Sequence, residues 1–357
     1  MTIPIRELLD NKFIRPDSCN SIPRDPNLIW LDKNECFDPE FNIFARNLLN
    51  DLPEDTLYAY PEMASIYKKI ANLTDCELES HLLTPGSDGA IRLVFQAFVQ
   101  PGDIVLHTNP TFAMYSVYCK MFGANEILIN YQNSLEGPII DFTFLKTLII
   151  EKRPKLFCLP NPDSPTGTIF KYEEIIELIE LCNSCNTMML IDEAYHPFNE
   201  NTYITYTKKF KNLIVARTFA KAWGLAGLRI GYLVSHPEVS IFMKKLRPMY
   251  EVGTISVNFM NLMLDHVDEM HKSVNRLLEG KKYFLKELRK LNFKTLDTKG
   301  NFVHVNFGDN SNLIHAKLEN IVLYRKNFTE VSLSGFSRFT LTTREIFTKI
   351  ITDISCL

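Results

Sequence analysis

The chain reads as an α/β protein: a large domain on a mostly parallel, seven-stranded sheet covered by helices on both faces, with a smaller α+β domain beside it. Three observations predict this. Its 357 residues, 46% of them hydrophobic, exceed what one core of ordinary size holds, so two units are expected. Between residues 81 and 234, seven short apolar runs alternate with segments of helical period. That is the pattern of strands that run the same way because a helix returns the chain each time. After residue 237 the alternation stops, and a long helical stretch precedes a few short strands.

Element by element, strands are expected at 81–83, 104–107, 126–130, 156–159, 188–191, 213–216 and 230–234. Amphipathic helices are expected at 90–99, 111–121, 142–151 and 173–185. Residues 237–291 read as helical, then strands follow at 302–306, 321–324 and 336–340 before a terminal helix. The large domain is assigned to residues 51–237, and the small domain to 1–50 and 238–357. Ligands of such sheets bind at the carboxyl ends of the strands, often against helix N-termini.

Charge and composition remove several classes. The net charge is -3, with no basic run, so neither nucleic acid nor an anionic membrane is an expected partner. No apolar run approaches the roughly 18 residues of a membrane helix. The N-terminus, MTIPIRELLDNK, places charges where a secretory signal is apolar, so a soluble cytoplasmic protein is expected. Of the eight cysteines, Cys182 and Cys185 form a CxxC within an apolar helical run. A structural zinc needs four ligands, and no second pair stands at metal spacing. These thiols read as half-buried and reduced, and no metal is expected.

Four local patterns carry chemistry. Thr84-Pro-Gly-Ser-Asp-Gly-Ala90 follows a strand and opens a helix. Gly86 suits a tight turn, and the N–H groups after it suit a phosphate; the alternative is a helix cap by Ser87 or Asp88. Leu190-Ile-Asp-Glu-Ala-Tyr195 ends a strand with a carboxylate, which is costly to bury unless paired; the alternative is a capping Asp192. Arg217-Thr-Phe-Ala-Lys221 leads into a Gly-rich loop ending at Arg229. A lysine there is desolvated enough to act as an amine nucleophile, and Arg229 suits a second phosphate contact; the alternative is a solvated loop lysine. Pro160-Asn-Pro-Asp-Ser-Pro-Thr-Gly167 makes a rigid loop straight after a strand, with a purely structural turn as the alternative.

In this order the patterns resemble those of a fold-type I pyridoxal-phosphate (PLP) aminotransferase, specifically the histidinol-phosphate aminotransferase group. The resemblance covers nearly the whole chain. It includes the spacing Asp192 to Tyr195, Thr218 to Lys221 and Arg229, and the segment RKNFTEVSLSGFSRFTLTTRE from Arg325 to Glu345. It implies that Lys221 holds the cofactor as a Schiff base and later carries the substrate proton. It also implies that Asp192 pairs with the pyridine nitrogen, that Tyr195 bonds the ring O3′, and that Phe112 stacks on the ring. Ser87, Asp88, Thr218 and Arg229 are implied at the cofactor phosphate, with Tyr60 reaching that phosphate from the partner of a homodimer. Ser164 stands where the family has an asparagine that bonds O3′. Arg338 is implied at a substrate carboxylate and Arg325 at a substrate phosphate.

Other departures are Ala220 before the lysine, Gly89 in place of Glu, Thr342 in place of a glycine, and Asn34-Glu-Cys-Phe in place of Asn-Glu-Asn-Pro. The expected reaction is transamination between a small phosphorylated ketone and its amine, with glutamate as donor. Histidinol phosphate, or a smaller analogue such as serinol phosphate from dihydroxyacetone phosphate, fits this class. The alternatives are a PLP-dependent decarboxylase of a phosphorylated amino acid and, more remotely, a PLP-sensing regulatory domain. The last carries a DNA-binding domain ahead of the fold, and the chain shows no basic patch for one.

Overall fold

The structure is a computed structural model that describes residues 23–356. The charged N-terminal segment, Cys19 and the first part of the expected small domain lie outside the described residues. The described chain opens with β1 (Ile29–Trp30), α1 (Pro39–Leu48) and α2 (Ala64–Thr74). Then come β2 (His81–Thr84), α3 (Gly86–Phe98), β3 (Ile104–Asn109), α4 (Met114–Phe122) and β4 (Asn125–Asn130). They are followed by α5 (Phe142–Lys152), β5 (Leu156–Pro160), α6 (Tyr172–Ser184), β6 (Met188–Asp192), β7 (Leu213–Thr218) and β8 (Gly231–Ser235). These elements contain all seven expected strands of the large sheet, in the order β2-β8-β7-β6-β5-β3-β4. Six run parallel, and β8 runs antiparallel to both of its neighbours. No α-helix separates β7 from β8, so the chain turns straight back, and that turn carries Lys221 and Arg229.

Residues alternate between the two faces of the sheet, as the pleat requires. Phe157, Leu159, Met189, Ile191 and Val215 enter one core cluster, while Leu156, Cys158, Leu190, Ile214 and Ala216 enter the other. Both faces are therefore covered. Strand ends then emerge from a dry interior, and polar side chains just past them face one rim.

The stretch expected as one helical region is three helices: α7 (Pro237–Met243), α8 (Thr254–Met263) and α9 (Val267–Lys290). Pro248 and Gly253 lie in the first break, where a continuous helix would lose a donor and gain backbone freedom. The rest of the chain is β9 (Lys294–Leu296), β10 (Phe302–Asn306), α10 (Ser311–Leu318), β11 (Val322–Leu323), β12 (Phe336–Thr340) and α11 (Arg344–Ser355). β10 and β12 fall where expected and form a three-stranded sheet in the order β12-β10-β9. The strand expected at 321–324 is shorter and pairs instead, in parallel, with β1. α9 buries a stripe from Met270 through Leu277 and Phe284 to Leu288, at helical spacing. A Cβ on Gly280 would sit 2.1 Å from the Thr342 carbonyl oxygen, so only glycine lets α9 approach that connection.

Candidate active site

The carboxyl ends of β5, β6 and β7 meet the N-terminus of α3 at a cavity of about 240 Å³. Nine of the ten residues expected at the cofactor line it, from Ser87 and Asp88 to Lys221 and Arg229.

One end is built for an anion. α3 starts at Gly86, and no side chain caps it, so its first N–H groups have no intrahelical partner. Ser87 and Asp88 lie inside the first turn rather than at the cap. Gly86 has φ +75, and a Cβ there would sit 3.0 Å from Nη2 of Arg229. Arg229 itself has φ 50 and ends a short 3₁₀ turn. Its Nη2 is 3.5 Å from the Pro85 carbonyl. Thr218, the last residue of β7, accepts from the Ala220 N–H at 3.1 Å. Backbone donors, a hydroxyl and a guanidinium thus converge, which is the chemistry of a phosphate site. The Asp88 carboxylate turns instead to the Tyr118 hydroxyl at 2.8 Å, so its N–H is the part fit for an anion.

At the opposite end is Asp192, the last residue of β6 and 5% exposed. It accepts from Ala194 N–H at 3.0 Å and from the Tyr115 hydroxyl at 3.3 Å. Burial, with smaller contributions from the charges of Asp163 and Glu193, pushes its carboxyl up to about 7. A carboxylate so placed is stabilised by a cation set against it.

Between the two ends, Lys221 Nζ lies 5.8 Å from the Tyr195 ring centre and donates to the Lys33 carbonyl at 3.2 Å. Burial, and then the charge of Arg338, lowers its pKa to about 8. A usable fraction is therefore neutral amine near physiological pH. The Tyr195 hydroxyl accepts from Asn34 Nδ2 at 2.9 Å. Burial raises that phenol, while the Arg338 charge and hydrogen bonds with Ser164 and Asn34 oppose the rise. Phe112 is 40% exposed into the cavity and meets Tyr115 edge-on.

Arg338 sits on β12 and is 7% exposed. Its Nη2 donates to the Asp32 carbonyl at 2.7 Å, and its guanidinium lies 5.4 Å from the Phe302 ring centre. Its Nε is buried without a partner. Burial lowers its pKa to about 10. Arg325 pairs with it across an antiparallel bridge. Arg325 is half-exposed, lies over Phe328 and donates to Glu330 at 2.9 Å. Tyr60 does not line this cavity; it is 75% exposed and stacks on Tyr250 at 4.4 Å.

Several neighbours of the site escaped sequence reasoning. Asn34 is one, although it keeps the first residue of the Asn-Glu-Asn-Pro motif whose last two positions differ here. Asp163 is another: fully buried, it accepts from Thr108, Thr111 and Tyr131 at 2.5, 2.6 and 2.8 Å. Tyr115 and the buried Glu193–Arg217 pair (2.8 Å) are the others. The cysteine spacing also hid a mixed cluster of His107, Cys119 and Glu126, with potential ligand atoms within 4.8 Å of one another. Cys182 and Cys185 stand at the end of α6, not its start, where a redox pair is activated.

The cavity fits PLP by its donor set: an anion cradle kept open by Gly86, an amine of lowered pKa, and a buried carboxylate suited to a pyridinium. Comparison with known proteins agrees. The family model for aminotransferase class I and II matches residues 26–354. A histidinol-phosphate aminotransferase of Clostridium novyi is 31% identical over 323 residues, covering 89% of this chain and 88% of that protein. The solved histidinol-phosphate aminotransferase of Sinorhizobium meliloti, in complex with pyridoxal-5'-phosphate, superposes with a TM-score of 0.76 at 19% identity over 92% of each chain. L-threonine-O-3-phosphate decarboxylase from Porphyromonas gingivalis superposes at 0.74, with 20% identity over 92% of this chain and 99% of that one. At these identities the structural likeness shows a shared fold. The family match over residues 26–354, with a relative 31% identical along most of the chain, makes this chain a member of the class I and II aminotransferase family and a PLP-dependent enzyme of fold type I.

Proposed function

We propose that the enzyme exchanges an amino group between glutamate and a small phosphorylated ketone, of the size of the histidinol phosphate precursor or of dihydroxyacetone phosphate. The observation that carries this is Arg338, a buried guanidinium with an unpartnered Nε, set beside Arg325 and apart from the anion cradle at α3. Arg338 takes the carboxylate of glutamate, and Arg325 takes the phosphate of the other substrate in place of Glu330.

When bound, PLP supplies an aldehyde for amine exchange and a cationic ring that draws electrons from the substrate Cα. The chain does the rest. Ser87, Thr218, Arg229 and the α3 N–H groups, including that of Asp88, hold the phosphate. Asp192 keeps the pyridine nitrogen protonated, Tyr195 and Ser164 bond the ring oxygen, and Phe112 covers one ring face. Lys221 Nζ holds the cofactor and, once released, takes and returns the Cα proton.

The active unit is a homodimer. Leu57, Tyr58, Tyr60 and Met249 are each at least 75% exposed, a surface that a second copy would cover. Tyr60 then serves the neighbouring site. Of the described residues, 51–237 form the large domain, and 23–50 with 238–356 the small one; the β1–β11 pair, which joins residues 29–30 to 322–323, supports that division. Among the described residues no helix is long and apolar enough to cross a membrane. The described cysteines are all free, which suits the cytoplasm.

The test is a panel of amino donors read by loss of the absorbance of the Lys221-linked cofactor. Histidinol phosphate, serinol phosphate, phosphoserine, aromatic amino acids and glutamate make up the panel. Glutamate and one phosphorylated amine are expected to respond, with recovery on adding 2-oxoglutarate. A response confined to unphosphorylated amino acids would overturn the substrate class. Release of CO₂ from a phosphorylated amino acid would make the enzyme a decarboxylase.

A further inference from the structure

Asp192 has few donors for a buried carboxylate: the Ala194 N–H at 3.0 Å and the Tyr115 hydroxyl at 3.3 Å. The other titratable groups around it are Asp163, Glu193, Cys158, Tyr195 and Lys221, and none donates to it. Tyr115 lies on α4 and is fully buried. Burial, and the charges of Asp192 and Asp163, hold its phenol well above the ordinary value, so it remains a donor wherever the enzyme works.

The ring of Tyr115 is wedged. Phe112 meets it edge-on at 6.3 Å and 89°, and His107 stacks against it at 5.7 Å. His107 is itself fixed, with Nδ1 on the Thr108 carbonyl and Nε2 on Glu126, both at 2.8 Å. One buried phenol therefore touches the carboxylate at the ring-nitrogen end of the cavity and braces the aromatic that covers the ring.

We propose that Tyr115 is a positioning residue: its hydroxyl aims the Asp192 carboxylate at the pyridine nitrogen, and its ring sets the place of Phe112. This rests on the reading of Asp192 as the partner of that nitrogen. Tyr115 does not line the cavity, so its role runs through these two residues.

Tyr115→Phe removes the hydroxyl and keeps the ring. The variant is expected to bind PLP about 10–100-fold more weakly, the loss of one hydrogen bond to a charged group. Its kcat should fall while the KM for glutamate holds, and the pH midpoint of the linked cofactor's absorbance should move. In an Asp192→Asn background the same change should do little, because paired residues are not additive. That comparison separates a positioning role from a general loss of stability, even if Tyr115→Phe also melts earlier. Unchanged PLP affinity and spectrum, or an equal loss in the Asp192→Asn background, would overturn the proposal. If Asp192→Asn alone leaves PLP affinity and turnover untouched, the fault lies in the reading of Asp192 rather than of Tyr115.

Discussion

Buried Asp192 and half-buried Lys221 face one cavity with shifts of opposite sense: Asp192 is pushed up to about 7 and Lys221 down to about 8, desolvation being the first cause of both. The signs carry a stability consequence in the cofactor-free protein. Between its ordinary value of 3.8 and about 7, folded Asp192 keeps a proton that the unfolded chain has lost. Its contribution to stability therefore falls as pH rises through that window. Lys221 works the other way between about 8 and 10.5, where the unfolded chain holds the extra proton and stability rises with pH. His196 and His304, lowered to about 3 by burial, oppose this trend, so the test is a difference: from pH 4 to 7 the melting temperature of the cofactor-free protein should fall more, or rise less, than that of Asp192→Asn; an identical slope in the variant would contradict the assignment. In the loaded enzyme, Asp192→Asn should lower kcat by several orders of magnitude, because the carboxylate acts on the transition state. A loss below about tenfold, or about 1.4 kcal/mol of barrier, would remove Asp192 from this role. Lys221, Asp192 and Arg229 were singled out in the sequence through the resemblance, and the folded chain brings all three to one cavity. Asn34 and Tyr115 were not, because their roles exist only through contacts across the fold, to Tyr195 and Asp192.

At the scale of elements, the anion cradle depends on one backbone conformation. Gly86→Ala would force φ +75 on an L-residue and set a Cβ 3.0 Å from Arg229 Nη2. PLP affinity should fall with little change in the fold, as read by equilibrium binding and circular dichroism. Gly280→Ala has the opposite profile: its Cβ would meet backbone at Thr342, which α9 cannot relieve by turning a side chain. The expected cost is about 1–3 kcal/mol of stability or more, seen in chemical denaturation. The large-sheet strands were readable because burial on both faces makes each a short apolar run with turn residues around it. β1 and β11, two residues each, have no period to read and form only by pairing with each other. The breaks among α7, α8 and α9 were hidden for a related reason: apolar spacing continues through them, and only Pro248 and Gly253 mark the first.

For the whole molecule, the proposed two-fold assembly would link the exposed stack of Tyr60 and Tyr250 to the chemistry. Sedimentation should show a dimer, and Tyr60→Ala should weaken PLP binding without destroying either subunit's fold; a fully active monomer would exclude shared sites. Arg325→Ala should raise KM for the phosphorylated substrate by roughly 10–100-fold and leave that for glutamate nearly unchanged. Arg338→Ala should damage glutamate use instead. Equal losses for both substrates from Arg325→Ala, or none, would send the search toward unphosphorylated keto acids. Architecture at this scale was legible from the alternation of strands and helices, whereas the Arg325–Glu330 pair was not, since only the folded chain sets Glu330 against that guanidinium. All of these roles turn on where the cofactor is attached. Borohydride reduction of the PLP-loaded protein, followed by peptide mapping, reads that directly. A pyridoxyl group is expected on Lys221 alone; a label on any other lysine, or none at all, would contradict the assignment of Lys221.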